Sequence, residues 1–164
     1  MEFSPPVFRR HDGYGLIASH KNLVVSMHWG ITTLDHAKDL RAYTADVVAT
    51  YERFASMVIV AGRQILEAPD GPTRDELKAL IAETESVGLG TAFVVLRGGF
   101  LGGAAVALLS GLFILSRSRE PNRAFRDGET AATWLHAQLT EGPCAWSPGE
   151  VRATLQSVLS TGET

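Results

Sequence analysis

Thiol chemistry is nearly absent from this 164-residue sequence, which carries a single cysteine, Cys144. That excludes an internal disulfide and any cysteine-built metal centre. Positive charge is not in excess either. Fifteen Lys and Arg stand against 18 Asp and Glu, giving a formal net charge of −3 and a pI near 5.9. No basic footprint is therefore available for gripping nucleic-acid phosphates. The opening residues, MEFSPPVFRRHDG, lack the charged-then-apolar layout of a secretory leader, and the expected location is the cytoplasm. No internal repeat or low-complexity block interrupts the sequence. With 45% apolar residues and 8% aromatics, one domain with a substantial core is the expectation.

What the sequence does have is one long uncharged run, Gly98 to Ser116, bounded by Arg97 and by Arg117 and Arg119. Its length approaches the roughly 20 apolar residues that cross a bilayer. Its content points to a buried helix instead. Glycine at 98, 99, 102, 103 and 111, with Ser110, reduces the strongly apolar part to Ala104 to Leu115. The paired glycines also suit a strand-to-helix turn, where backbones approach closely. Val106, Leu109 and Phe113 line one face of such a helix and Leu108, Leu112 and Leu115 another. A helix apolar nearly all round must be covered on more than one side. The expected covers are a sheet face and either a C-terminal helix bearing Val151, Leu155, Val158 and Leu159 or a second copy of the chain.

The remaining segments alternate between strand and helix patterns. Tyr14 to Ser19 and Leu23 to Trp29 read as a hairpin about His20-Lys21-Asn22. Thr32 and Asp35 form a capping-box-like start for a helix through Leu34, Ala37, Leu40, Thr44, Val47, Val48 and Tyr51. Met57 to Ala61 is a short apolar run fitting a central strand. After the Asp70-Gly71-Pro72 breaker, Thr73 as N-cap and Glu76 open a helix carrying Leu77, Leu80 and Ile81. Thr91 to Leu96 is the next strand, followed by the apolar helix and a short strand at Arg123 to Phe125. Asp127 caps a helix through Ala131, Trp134, Leu135 and Leu139, and Ser147-Pro148-Gly149-Glu150 begins the last one. The order ββαβαβαβα with an added C-terminal helix implies an α/β fold with a mixed sheet and crossover helices. The expected division is a flexible tail over 1–11, a domain over 12–140 and a helical extension over 141–164.

Residues suited to catalysis are thinly spread. His28 and His36, with Asp35 and Asp39 nearby, have types that bind metals. The plainer reading places His28 on a strand and His36 on a helix surface, so no metal, cofactor or catalytic set is expected. His136 reads as a rim residue. Cys144 reads as a free thiol packed under the last helix. Arg97-Gly98-Gly99 leaves a strand just before a helix, where free N–H groups favour anions, and Arg63 leaves the central strand at the same edge. These four residues are the candidate ligand or anion site. The trio is neither a G-x-G-x-x-G nor a P-loop, so nucleotide hydrolysis is not indicated.

Two stretches carry a family resemblance. Leu23 to Thr50, LVVSMHWGITTLDHAKDLRAYTADVVAT, resembles the strand, glycine and first helix of a STAS domain, the fold of bacterial anti-sigma-factor antagonists. Ala107 to Leu135 resembles that family's ending, with a Leu-x-x-Gly-Leu turn, a strand ending in Phe and an E-x-A-x-x-W-L-like signature. The likeness also extends to the STAS-like group compared with CRAL-TRIO lipid-binding domains. It implies a regulatory module that works by protein–protein contact. The family's antagonists place a phosphorylatable serine, usually after an aspartate, at the helix following the central strand. Residues 63 to 73 hold no Asp-Ser pair, and Thr73 alone occupies a comparable position.

The expectation is a cytoplasmic, non-catalytic STAS-like binding module, self-associating or partner-docking through Val106, Leu109, Leu112 and Phe113. Two alternatives stand beside it. One is a lipid or small-anion binder using the 103–116 helix and the Arg97-Gly98-Gly99 turn. The other is a protein anchored by a single span at 98–116.

Overall fold

The computed structural model describes residues 3–61, 69–96 and 120–162. Six strands form one mixed sheet in chain order: β1 (Val7–His11), β2 (Gly15–His20), β3 (Leu23–His28), β4 (Phe54–Val60), β5 (Gly88–Val95) and β6 (Asn122–Phe125). The first three are antiparallel neighbours, and β3 to β6 run parallel. The described helices are α1 (Leu34–Tyr51), α2 (Gly71–Thr84), α3 (Gly128–Leu139) and α4 (Pro148–Gly162). The protein is thus α/β with a mixed sheet, as the alternating segments imply.

Strand periodicity sorts the core into two layers. Leu16 and Ala18, Leu23, Val25 and Met27, and Ala55, Met57 and Ile59 pack with Ala131, Leu135 and Leu139 of α3 and with Val151, Leu155 and Val158 of α4. Ile17, Val24 and Phe54 belong to the other layer, with Leu40 and Val47 of α1 and Leu80 of α2. Each such buried Leu or Ile contributes roughly 1.5–3 kcal/mol of transfer free energy.

Helix starts follow local chemistry. Asp127 accepts from the Thr130 N–H at 2.8 Å. Ser147 and Glu150 cap each other reciprocally at 3.2 and 2.8 Å, with Pro148 opening the helix. Both were legible in the sequence. Two caps fall elsewhere than the sequence pattern places them. Thr33, not Thr32, caps α1, because its hydroxyl accepts the His36 N–H at 3.2 Å. Asp70, not Thr73, caps α2, with its carboxylate on the Thr73 N–H at 2.9 Å.

Two expected boundaries are also corrected. The 1–11 stretch is not a free tail: residues 7–11 are the edge strand β1, with Val7 opposite Ser19 and His11 opposite Leu16. A bulge between Phe8 and Arg10 bends this strand, as sheet edges often are. Nor is 141–164 an appendage. The Lys21-Asn22 turn, where Lys21 takes a left-handed φ of 48°, is fastened to the segment ahead of α4. Lys21 Nζ donates to the Ala145 carbonyl and to Glu150, both at 2.7 Å. Trp146 Nε1 donates to Asn22 Oδ1 at 2.9 Å, and the Asn22 amide reaches the Arg53 carbonyl. Asn22 is fully buried, so its polar atoms must be paired inside the protein. α4 is therefore part of the same core as the hairpin.

Candidate functional site

Three side chains of chemical interest meet beneath the start of α1. Ser26 and His28 lie two apart on β3, so they share its α1-facing side with Val24. His36 enters that side from the first turn of α1. The Ser26 hydroxyl is 2.6 Å from His28 Nε2 and 3.0 Å from His36 Nε2. The two imidazole centroids are 4.4 Å apart. Thr32 extends the chain, its Oγ1 lying 3.3 Å from His28 Nδ1. The room comes from Gly15, which pairs with His28 across the hairpin. A Cβ at position 15 would stand 2.5 Å from the Met27 carbonyl oxygen and 3.1 Å from His36 Cε1.

The cluster is enclosed: Ser26, His28 and His36 are 2%, 8% and 1% exposed. Burial disfavours a charged ring. Desolvation, with the neighbouring His36, pushes His28 down to about 3. Desolvation and then the Arg10 cation push His36 down to about 4, against the pull of Asp12 and Asp39. Both rings are neutral at pH 7. Ser26 has one hydrogen to share between two Nε2 atoms, so one ring accepts it and the other donates N–H to the same oxygen. Thr32, His28, Ser26 and His36 thus form a hydrogen-bond chain with two self-consistent directions.

An ionic layer lies outside this chain. Arg10 reaches Asp39 of α1 at 2.6 Å and Asp12 at 2.5 Å. Asp12 also accepts the Tyr14 and Gly15 N–H groups at 2.8 and 3.1 Å. Burial raises the Asp12 carboxyl, but the Tyr14 N–H and Arg10 outweigh it and hold it below its ordinary range. This layer ties β1 and the β1–β2 turn to α1.

No family model, curated protein or solved structure matches this chain.

The geometry therefore carries the functional reading. His28 and His36 do come together, but on a shared serine, and His36 is buried where the sequence pattern set it on the helix surface. Asp39 is hydrogen-bonded to Arg10 and not to either ring. Among the described residues no group of three His, Cys, Asp or Glu side chains is placed to hold a metal ion. Thr73 is fully buried, so a kinase cannot reach its hydroxyl in this conformation. Arg63, Arg97, Gly98, Gly99, Val106, Leu109, Leu112 and Phe113 lie outside the described residues, as does the 98–116 run. Cys144 packs, partly buried, against the α3–α4 layer, in keeping with the thiol expected there. His136 Nε2 lies 3.0 Å from the Trp146 carbonyl oxygen. Among the described residues no helix is long and apolar enough to cross a membrane.

Sequence reasoning missed Ser26 and Thr32 as partners of the histidines. The available signal was the i, i+2 spacing of Ser26 and His28 on a strand and the i, i+4, i+8 spacing of His36, Leu40 and Thr44 on a helix.

A second feature faces solvent. Phe3, Pro5 and Phe8 border an open groove of about 490 Å³ whose other wall is α4, through Ala153, Gln156, Ser157, Ser160 and Thr161. Phe3, Val7 and Phe8 are 36%, 55% and 38% exposed.

Proposed function

We propose that this chain is a non-catalytic, STAS-like regulatory module of the cytoplasm that acts by protein–protein contact and associates with itself. The observation that carries the reading is the apolar edge formed by Phe3, Pro5 and Phe8 beside the α4 groove. Large apolar side chains clustered at an edge and rimmed by Gln156, Ser157 and Ser160 have the composition of a docking surface. The enclosed state of Ser26, His28 and His36 is consistent with this reading, since a nucleophile or base must reach its substrate. The resemblance of Leu23 to Thr50 and of Ala107 to Leu135 to STAS domains supplies the regulatory class.

Size-exclusion chromatography with light scattering tests the reading on the full chain and on Phe8→Asp. A concentration-dependent dimer that the substitution reduces to monomer, with the melting temperature unchanged, is the expected result. A wild-type chain that stays monomeric into the hundreds of micromolar overturns self-association. A dimer indifferent to Phe8→Asp moves the interface away from this edge.

A further inference from the structure

We infer that the Ser26-centred histidine pair is an acid-released latch on the first turn of α1: the closed form holds one added proton at most, and the opened form holds two. Hydrogen-bond bookkeeping at Ser26 gives the asymmetry. In the neutral state its oxygen accepts from one Nε2 while its hydrogen goes to the other. One added proton is still accommodated. A charged His28 donates to Thr32 Oγ1 and Ser26 Oγ, and the serine hydroxyl then donates to His36 Nε2. A second proton has no such solution. Both Nε2 atoms would then be donors aimed at one hydroxyl oxygen, the serine hydrogen would lose its acceptor, and two cations would stand 4.4 Å apart in an enclosed site.

The surrounding charges do not relieve this. His36 faces Arg10 from β1, Asp12 from the β1–β2 turn and Asp39 from its own helix. Both carboxylates are engaged by Arg10. His28 faces His36, with Ser26 and Thr32 as its neutral polar neighbours. Among the described residues no carboxylate is hydrogen-bonded to either ring.

The latch is local because few bonds close it. Thr33 caps the turn through the His36 N–H at 3.2 Å and the Ala37 N–H at 3.0 Å. The Thr32 contact to His28 completes the set. Opening residues 31–37 breaks these while leaving Trp29 and Gly30 bonded to Gly13 and Tyr14 and the α3–α4 layer of the core in place, and such sub-global openings lie below the cost of global unfolding. Each freed ring returns to an ordinary value of about 6.5. Between about pH 7.5 and pH 5 the opened form therefore gains roughly 30-fold per ring, about a thousandfold for both. Ile31, Thr32 and Thr33 lie on the opened segment, just past the carboxyl end of β3, the edge where open α/β sheets present their binding loops.

Hydrogen exchange on the full chain, corrected for the intrinsic pH dependence of amide exchange, tests this. The amides of residues 33–37 are expected to exchange faster than those of Met57 and Ile59 in β4 at every pH. They are also expected to speed up about a thousandfold from about pH 7.5 to 5. His28→Gln and His36→Gln should each reduce the acceleration to about thirtyfold. Exchange at 33–37 that tracks β4 at every pH, or that does not respond to acid, overturns the latch. Should either variant fail to fold, the imidazole proton shifts of the folded wild type decide. Both rings remaining neutral to pH 5 supports the latch, and either titrating near 6.5 overturns it.

Discussion

Replacing Ser26 with alanine removes one oxygen atom and, with it, the meeting point of two imidazoles. The cavity cost is small, since the loss is a single buried heavy atom and the backbone of β3 is undisturbed. The polar cost is not. At pH 7.5 both rings are neutral, and each has Nε2 within 3.0 Å of the serine hydroxyl. Without it, each Nε2 is a buried donor or acceptor with nothing opposite, whichever tautomer the ring adopts. Leaving a buried polar group unsatisfied costs about 1–3 kcal/mol, so Ser26→Ala should destabilise the protein by about 2–4 kcal/mol with some relaxation allowed. For a domain of this size that corresponds to a melting temperature lower by roughly 5–15 °C. Urea denaturation followed by tryptophan fluorescence at pH 7.5 measures it directly, with an unchanged m-value showing that the unfolded state is not the cause. Ser56→Ala is the control, because Ser56 is half-buried and its contact with Thr91 is long, at 3.5 Å. A Ser26→Ala cost no greater than that of Ser56→Ala would refute the idea that the serine satisfies both histidines.

Further tests follow from the same packing. Gly15→Ala should cost about 2–4 kcal/mol by chemical denaturation, because its Cβ would lie 2.5 Å from the Met27 carbonyl oxygen and against the His36 ring. A neutral result would mean that the hairpin can shift away from α1. Trp146→Phe should cost about 2–4 kcal/mol, as Asn22 Oδ1 loses its donor in a fully buried site and the indole's second ring leaves a void. Asn22→Ala combined with Trp146→Phe should then cost less than the sum of the two single changes. Stability should also fall with acid. The folded values of His28 and His36 lie below the unfolded value of about 6.5, so the unfolded chain binds protons first as pH drops. Their penalty is absent above about pH 7 and grows through pH 6 to about 4, reaching roughly 4 kcal/mol for the pair at pH 5. A flat stability profile between pH 7 and 5 would contradict the enclosure of both rings.

Most of the secondary structure was legible because burial writes a period into the chain. Leu34 to Tyr51 repeats at helical spacing, and Met57 to Ala61 is apolar throughout because β4 is covered on one face, at Met57 and Ile59, and half-covered on the other, at Val58 and Val60. Strand β1 was not legible for the complementary reason. Val7 to His11 sits at the sheet edge and is solvated on both faces, so VFRRH shows neither alternation nor an apolar run. The α1 cap was misplaced by one residue because Thr32 and Thr33 are chemically equivalent there. What separates them is tertiary: His28 takes the first hydroxyl, leaving the second for the His36 N–H. The site itself was half legible. Both histidines stand out in the sequence, but the serine between them looks like any strand serine until the register of β2 against β3 sets Gly15 opposite His28 and opens space for the His36 ring. The same holds for Asn22, which reads as turn chemistry and turns out to anchor Trp146 across 124 positions of chain.

That long-range fastening has a consequence for how the protein is made. Strands β2 and β3 are synthesised more than a hundred residues ahead of α4, the helix that covers one of their faces. Until residues 146–158 clear the ribosome, Leu16, Ala18, Leu23, Val25 and Met27 have no α4 to lie against. Strand pairing nearby cannot hide them, because it satisfies edges rather than faces. The nascent chain therefore carries an apolar sheet face until α4 follows, a state that holds chaperones and invites aggregation. Ribosome-stalled chains ending before Trp146 should stay protease-sensitive across the β2–β3 hairpin, and those with a C-terminal linker long enough to bring Leu159 clear of the ribosome should become resistant together with α4.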